Sequence, residues 1–511
     1  MTDKPNIPQT KVYTENKILN FTPENKLAEW RDLIQEKVAE GCLVKLYADT
    51  ETTGFDHGNK GRPAYDPVMD QKLMLRSALA FDVPLADLEK EAKDLRGKVD
   101  RMIEIAFVAC YTNKNGESYP LLDKEGNQVY FHEMIDPYKN SDIDESKRID
   151  KMPIIPYLVH KTSFDFLQGK EEHPYLKVTL PNPAPSTHEV FSHFINFFKD
   201  NKPENYDKIV MIFHNADEFD MPFINSEFKK TVGEPSLEKY ALRELVQVQD
   251  SLKIAKSILL PNPVQKLIAF CQYDELFGGD PSLKDVKEVA IQPTGKSLDN
   301  IIRIAKFLPS LDLSQINNYT NDKQKEFANS FKSSLLASDL PLTKSLLDYY
   351  ESPNTDIDLA DELDKAFVTK SKVLIENYKK FRIGVKLFND TVSAAKEYPE
   401  LYKSLTNVKK SISEHADLQQ NVNLLKNTPR EAHGAMIDSL LFMYSFNIIE
   451  NSLYRNHKTT NELNFSSISI KLPESLLENY KKIQEQKNES KDESKNVSEE
   501  TKITKKSTYR M

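Results

Sequence analysis

The segment Leu43-Val44-Lys45-Leu46-Tyr47-Ala48-Asp49-Thr50-Glu51 constrains the fold more than any other. Its apolar run reads as a buried strand that ends in two carboxylates. Residues two apart on a strand point to the same face, so Asp49 and Glu51 project side by side. Two like charges at the edge of a core repel each other and resist desolvation. A cation between them resolves both problems, and an oxygen-only donor set selects a hard ion such as magnesium or manganese. The plain alternative is a strand running out into an acidic turn. Partners elsewhere in the chain decide between the two.

At 511 residues the chain is long enough for about three domains of ordinary size. Its 14 glycines are few for that length, which favours helix over many tight hairpins. The formal charge of −9 argues against a protein that coats long duplexes through a broad basic surface. It leaves open an enzyme that grips a few nucleotides through a bound metal, because the metal brings the positive charge. Cys42, Cys110 and Cys271 lie far apart with no CxxC pair, so reduced thiols are expected rather than a zinc ribbon or disulfide framework. No apolar run reaches the length of a membrane span, and the N-terminal stretch lacks the apolar segment of a secretory signal. A cytoplasmic protein without membrane contact is the expectation.

Thr22-Pro23-Glu24 reads as a helix start with a hydroxyl cap, followed by Leu27, Trp30, Ile34 and Val38 on one face and a stop at Gly41. Residues 56–99 are polar, then helical, and read as an insertion. Strands are expected at 101–110 and 128–135, forming an antiparallel meander with the first. Proline-rich loops are expected over 151–186, and a helix capped by Ser186 follows. A buried strand at 208–213 ends in His214-Asn215-Ala216-Asp217-Glu218-Phe219-Asp220 and leads into a helix with Phe223, Ile224 and Phe228 inside. Further readings are a strand at 266–271, a helix opening at Ser297, and a charged helical block over 309–427 whose apolar spacing from Leu363 to Phe388 suits helix packing or a docked protein partner. A helix carries Asp438 near its start, and from 474 the composition is that of a disordered charged tail.

Three motifs now stand in order. Ala48-Asp49-Thr50-Glu51-Thr52-Thr53-Gly54, His214-Asn215-Ala216 with Phe219-Asp220 and Phe223, and His433-Gly434-Ala435-Met436-Ile437-Asp438 together resemble the DEDDh 3′–5′ exonuclease superfamily. The likeness is greatest to the proofreading subunits of bacterial replicative polymerases. Weaker echoes are Arg101-Met102-Ile103-Glu104-Ile105, Val159-His160 and Ser297-Leu298-Asp299. The chain has one residue more between His214 and Asp220 than the usual pattern. Asp217 is therefore the alternative to Asp220, which is preferred because Phe219 and Phe223 keep their offsets from it.

The resemblance implies an α/β fold, a ribonuclease H-like mixed five-stranded sheet flanked by helices, with large helical insertions. The core would span 42–308 and 428–473, preceded by an arm and helix over 1–41. It also implies two Mg2+ or Mn2+ ions roughly 4 Å apart, held by Asp49, Glu51, Asp220 and Asp438, with His433 as general base. Thr52, Phe55 and His160 would meet the terminal nucleotide, Phe55 by stacking. The implied substrate is the 3′ end of single-stranded DNA, cut to nucleoside 5′-monophosphates. RNA is the alternative substrate, and a non-catalytic interaction scaffold is the rival class.

Overall fold

The computed structural model describes residues 22, 24–54, 83–114, 118–141, 143–174, 177–198, 208–230, 242–252, 409–427, 434–456, 462–465 and 468–471, with isolated positions within 74–81 and 302–407. The strand expected at 266–271, the amphipathic run from Leu363 to Phe388 and the tail from 474 lie outside the described residues. So does the helix opening at Ser297, apart from Ile302.

The centre is a mixed open sheet of six strands flanked by helices, an α/β arrangement. Strand β1 (Leu43–Thr52) pairs antiparallel with β2 (Met102–Thr112) along one edge and parallel with β5 (Ile209–Phe213) along the other. Strand β6 (Gln247–Asp250) adds in parallel beyond β5. On the far edge of β2, β4 (Tyr130–Met134) pairs with Glu104–Val108 and β3 (Ser118–Pro120) with Cys110–Thr112. The two therefore lie end to end, and six strands make a sheet five positions wide. The expected meander of β1, β2 and β4 is present. The sequence reading did not anticipate β3 or β6.

Helix α1 (Leu27–Ala39) buries Trp30, Ile34 and Val38, as its spacing predicts. Its start differs from expectation. Thr22 does not cap it; the Thr22 hydroxyl instead accepts from the His132 N–H at 2.8 Å and so pins this segment to β4. Its end is a Schellman stop: Gly41 at φ 80° donates to Val38, and Cys42 donates to Lys37. After α2 (Leu85–Asp94), the region expected to be proline-rich loops contains two short helices, α3 (Ile154–His160) and α4 (Phe164–Leu167). Pro153 and Pro156 fall at the N-cap and in the first turn of α3, where a missing N–H costs nothing.

Helix α5 (Thr187–Asn196) starts on a reciprocal Ser186–Glu189 capping box. Its Phe194, with Phe197 just beyond it, packs on Phe107 and Phe131 on one face of the sheet. Helix α6 (Asp220–Lys230) lies beside it, with Phe228 against Phe191. Short α7 (Leu242–Leu245) leads into β6. On the opposite face lie α8 (Ala416–Asn427) and the long α9 (Ala435–Asn456). Tyr47 on β1 meets Phe442 edge-on and donates its hydroxyl to Asn447 at 2.8 Å. Among the described residues no helix is long and apolar enough to cross a membrane. A separate hairpin, β7 (Glu462–Phe465) and β8 (Ile468–Lys471), follows.

One buried ion pair joins the two sides of the site region. Arg101, at the start of β2, donates from Nε and Nη2 to Glu227 of α6 at 2.8 and 2.6 Å, with both side chains almost wholly inaccessible. The Arg101 N–H also donates to Thr53 Oγ1 at 2.9 Å, just past β1. Removing one partner leaves an uncompensated charge in the core. Glu227→Ala is expected to cost about 3–5 kcal/mol, whereas the double change Arg101→Met with Glu227→Leu recovers most of that loss. Urea unfolding followed by fluorescence checks both; equal destabilisation by the single and double changes would count against the account.

Candidate metal centre

Strand alternation divides the end of β1. Lys45, Tyr47, Asp49 and Glu51 face α9, while Thr50 faces the α5–α6 side. Asp438 sits in the first turn of α9, buried, where the helix crosses β1 and β2. One carboxylate oxygen from each of Asp49, Glu51 and Asp438 falls within 4.8 Å of the others. Oxygens around one divalent ion, at metal–oxygen distances of about 2.0–2.6 Å, stand roughly 3–5 Å apart. The three acids therefore match the spacing of a shared cation site.

Asp220 reaches the same place from the other side. It is the first residue of α6 and only 1% exposed. Its Oδ1 accepts from the Thr50 hydroxyl at 2.7 Å. Its Oδ2 is buried and has no hydrogen-bond partner among the described residues. A desolvated carboxylate oxygen without a donor is rare in native cores, and a cation is the group that would satisfy it. The alternative, Asp217, is half-buried and ion-paired with Arg243. Asp220, not Asp217, is thus the acid set against Asp49, with its oxygens outside the close group of Asp49, Glu51 and Asp438.

The turn that delivers Asp220 is held by Asp250 at the end of β6. Its carboxylate accepts from the N–H of Asn215 at 3.0 Å and of Asp217 at 3.4 Å, and Asn215 takes a left-handed φ of 70°. The sequence analysis did not single out Asp250. The usable signal was Val246 and Val248 alternating with polar residues just before an acid.

Asp49 is held well above the usual carboxylate range, first by burial and then by the charges of Asp220, Asp438 and Glu104. Asp220 is pushed up to about 7, again chiefly by burial; the Thr50 hydroxyl pulls it down, and the Asp250 charge adds to the rise. Glu104 was not singled out in the sequence. It is buried on β2 directly across from Glu51.

The remaining predicted residues fare differently. Thr52 is buried and its hydroxyl donates to the Gly54 carbonyl at 2.6 Å. His160 ends α3 in a buried position, where Nδ1 accepts from the Thr162 N–H at 3.0 Å and its carbonyl meets His173 Nε2 at 3.3 Å. The His173 imidazole is depressed by burial, while the Glu104 charge opposes that shift, which places this pair near the cluster. Phe55 and His433 lie outside the described residues. Compared with models of known families, with curated proteins and with solved structures, the chain matches none.

Raised carboxyl pKa values make the metal-free cluster a pH-dependent liability. A folded-state pKa above the unfolded one contributes stability that is complete below the unfolded pKa and is lost as pH rises through the folded value. For Asp220 that loss runs from its ordinary value of 3.8 and is complete at about pH 7. Glu133 on β4, raised to about 8 by burial, adds a loss at similar pH that a metal at the cluster does not reverse. The diagnostic quantity is therefore the shift produced by metal. The rise in unfolding temperature on adding Mg2+ is expected to be larger at about pH 8 than at about pH 6.5, because the ligands must first lose their protons. Asp220→Asn is expected to shrink that difference. Calorimetry with and without the ion checks it; no shift at either pH would remove the cation from the account.

Proposed function

We propose that this chain is a divalent-metal-dependent 3′–5′ exonuclease of the DEDDh kind, acting on single-stranded DNA and releasing nucleoside 5′-monophosphates. The observation that carries the reading is the convergence of Asp49 and Glu51 with Asp438, which come from distant parts of the sequence, into one group of close oxygens. Asp220 arrives beside them with a buried, unsatisfied oxygen. The mixed sheet, with its first strand central and with Asp220 and Asp438 on flanking helices, is compatible with the ribonuclease H-like fold that the motifs imply.

In this reading Asp49, Glu51, Asp220 and Asp438 hold Mg2+ or Mn2+, in a pair of ions. A metal held there would supply a lowered pKa for a water and positive charge to offset that on the scissile phosphate and the departing 3′ oxygen. The four acids would hold the ions and would stay ionised once metal is bound. His433, immediately before Gly434 in sequence, takes the water's proton; an imidazole pKa near 6.5 suits that task at neutral pH. Thr50 keeps Asp220 in a single rotamer through its 2.7 Å hydrogen bond. Thr52, Phe55 and His160 are assigned to the terminal nucleotide, and the helical block over 309–427 to a protein partner.

The test is digestion of 5′-labelled DNA and RNA oligomers with Mg2+, with chelator, and by Asp438→Ala protein. A stepwise ladder from the 3′ end of DNA that vanishes in both controls is the expected result. A ladder on RNA alone would reassign the substrate, an unchanged ladder from Asp438→Ala would reveal a contaminant, and no ladder on either would leave an interaction scaffold. His433→Ala is expected to slow turnover by about a hundredfold or more while retaining Mn2+ affinity; unchanged turnover would remove His433 from the mechanism.

A further inference from the structure

Glu104 places a fifth carboxylate against a group of acids that already repel one another. It is 3% exposed, lies opposite Glu51 in the β1–β2 register, and contributes to the charge that raises Asp49. Such a residue is costly unless it does something in return. It does not lie in the close oxygen group formed by Asp49, Glu51 and Asp438 among the described residues. Its Oε1 is instead turned toward two donors: Nε2 of His132 on β4, at 3.0 Å, and the backbone N–H of Met436, at 3.4 Å.

The second contact answers a need of α9. The first N–H groups of a helix have no partner within it, and a Ser, Thr, Asp or Asn at the N-cap usually supplies one. Here the residue preceding Ala435 is Gly434, which has no side chain to do so. Gly434 passes close over the Glu104 carboxylate, so that a Cβ built there would stand 3.8 Å from both oxygens. Glu104 thus caps α9 from a neighbouring strand, and its charge is well placed at the positive end of the helix dipole. Ser439 adds a nearby tie, from its hydroxyl to the Ala106 carbonyl at 3.5 Å. Asp438 sits between these two attachments, its own N–H bonded to Gly434 at 2.9 Å.

We infer that Glu104 is a positioning residue: by capping the first turn of α9 from β2, with His132 steadying its carboxylate, it sets where Asp438 stands relative to Asp49 and Glu51. Its consequence for metal affinity rests on the metal-centre reading above; the contact itself does not.

Two conservative variants separate reach from charge. Glu104→Gln keeps the chain length and an acceptor oxygen but loses the charge. Glu104→Asp keeps the charge but is one methylene too short to reach Met436. Hydrogen exchange over 434–438 in metal-free protein reads the cap, and Mn2+ titration followed by electron paramagnetic resonance reads the ligand geometry. The expected result is native protection and near-native affinity in Glu104→Gln. Glu104→Asp is expected to show faster exchange and about a tenfold or greater loss of affinity, the scale of a lost outer-shell contact. The inference is overturned if both variants behave as wild type, if both are impaired alike, or if Glu104→Gln is the worse of the two, since the last result would make charge or direct ligation the role. Wild-type protein that binds no Mn2+ would sink the proposed function instead, and the exchange comparison would still decide whether Glu104 holds the turn.

Discussion

Electrostatic repulsion among the acids at the end of β1 is the constraint that the rest of the fold must overcome. At an effective dielectric of about 20, two unit charges about 5 Å apart repel by about 3 kcal/mol. Three ionised carboxylates within 4.8 Å of one another therefore cost about 10 kcal/mol, as much as the whole net stability of an ordinary domain. Burial adds to that cost: it is the chief cause of the raised pKa of Asp49 and of Asp220, and the charges of Asp220, Asp438 and Glu104 raise Asp49 further. A chain that only needed to fold would not gather these groups. The scaffold answers with apolar contact around them: β1 is paired on both edges, Phe107 and Phe131 are covered by the α5 phenylalanines, and Tyr47 is enclosed by Phe442 and Phe446.

Each acid reaches the cluster by a different local device. Asp49 and Glu51 share a face through strand alternation alone. Asp220 depends on a turn whose N–H groups are gathered by Asp250 and on the Thr50 hydroxyl that meets it. Asp438 depends on how α9 begins. The helix-borne acids are thus fixed by contacts with the sheet, and the sheet in turn is braced on its other side by Arg101 and Glu227. These outer contacts bring Asp438 into one group with Asp49 and Glu51 and set Asp220 beside it.

This division explains what could be read from the sequence. Strands β1, β2, β4 and β5 are apolar and buried on both faces, so their runs stand out near the expected bounds. Strand β6, with one valine between two glutamines, carries almost no such signal. Helix α3 was hidden because Pro153 and Pro156 look like breakers until the helix start is known to fall at Ile154. Within the site, Asp49, Glu51 and Asp438 were legible because a motif surrounds each. The preference for Asp220 over Asp217 rested in the sequence on the offsets of Phe219 and Phe223, and burial and the Arg243 partner now separate the two independently. The roles of Glu104 and Asp250 were hidden for a deeper reason: one serves an amide on a helix far along the chain, the other a turn in a different element, and the valine alternation before Asp250 marks a strand end but not that service.

The long separation between β6 and α9 follows from the same logic. Closing a longer loop adds little entropy cost, about 0.6 kcal/mol for each doubling of length, so a large insertion between them is tolerated if α9 still docks. What fixes α9 is burial of its own apolar face: Leu440, Leu441, Met443 and Phe446 are nearly inaccessible, and α8 packs alongside. At about 1.5–3 kcal/mol for each such side chain, this burial outweighs the closure cost several times over. Placement of Asp438 therefore does not depend on a short connection to β6. It is coupled instead to the few polar contacts that set the register of α9 on the sheet, which is why Tyr47–Asn447 and Glu104–Met436, at either end of the crossing, matter more to the site than chain connectivity does.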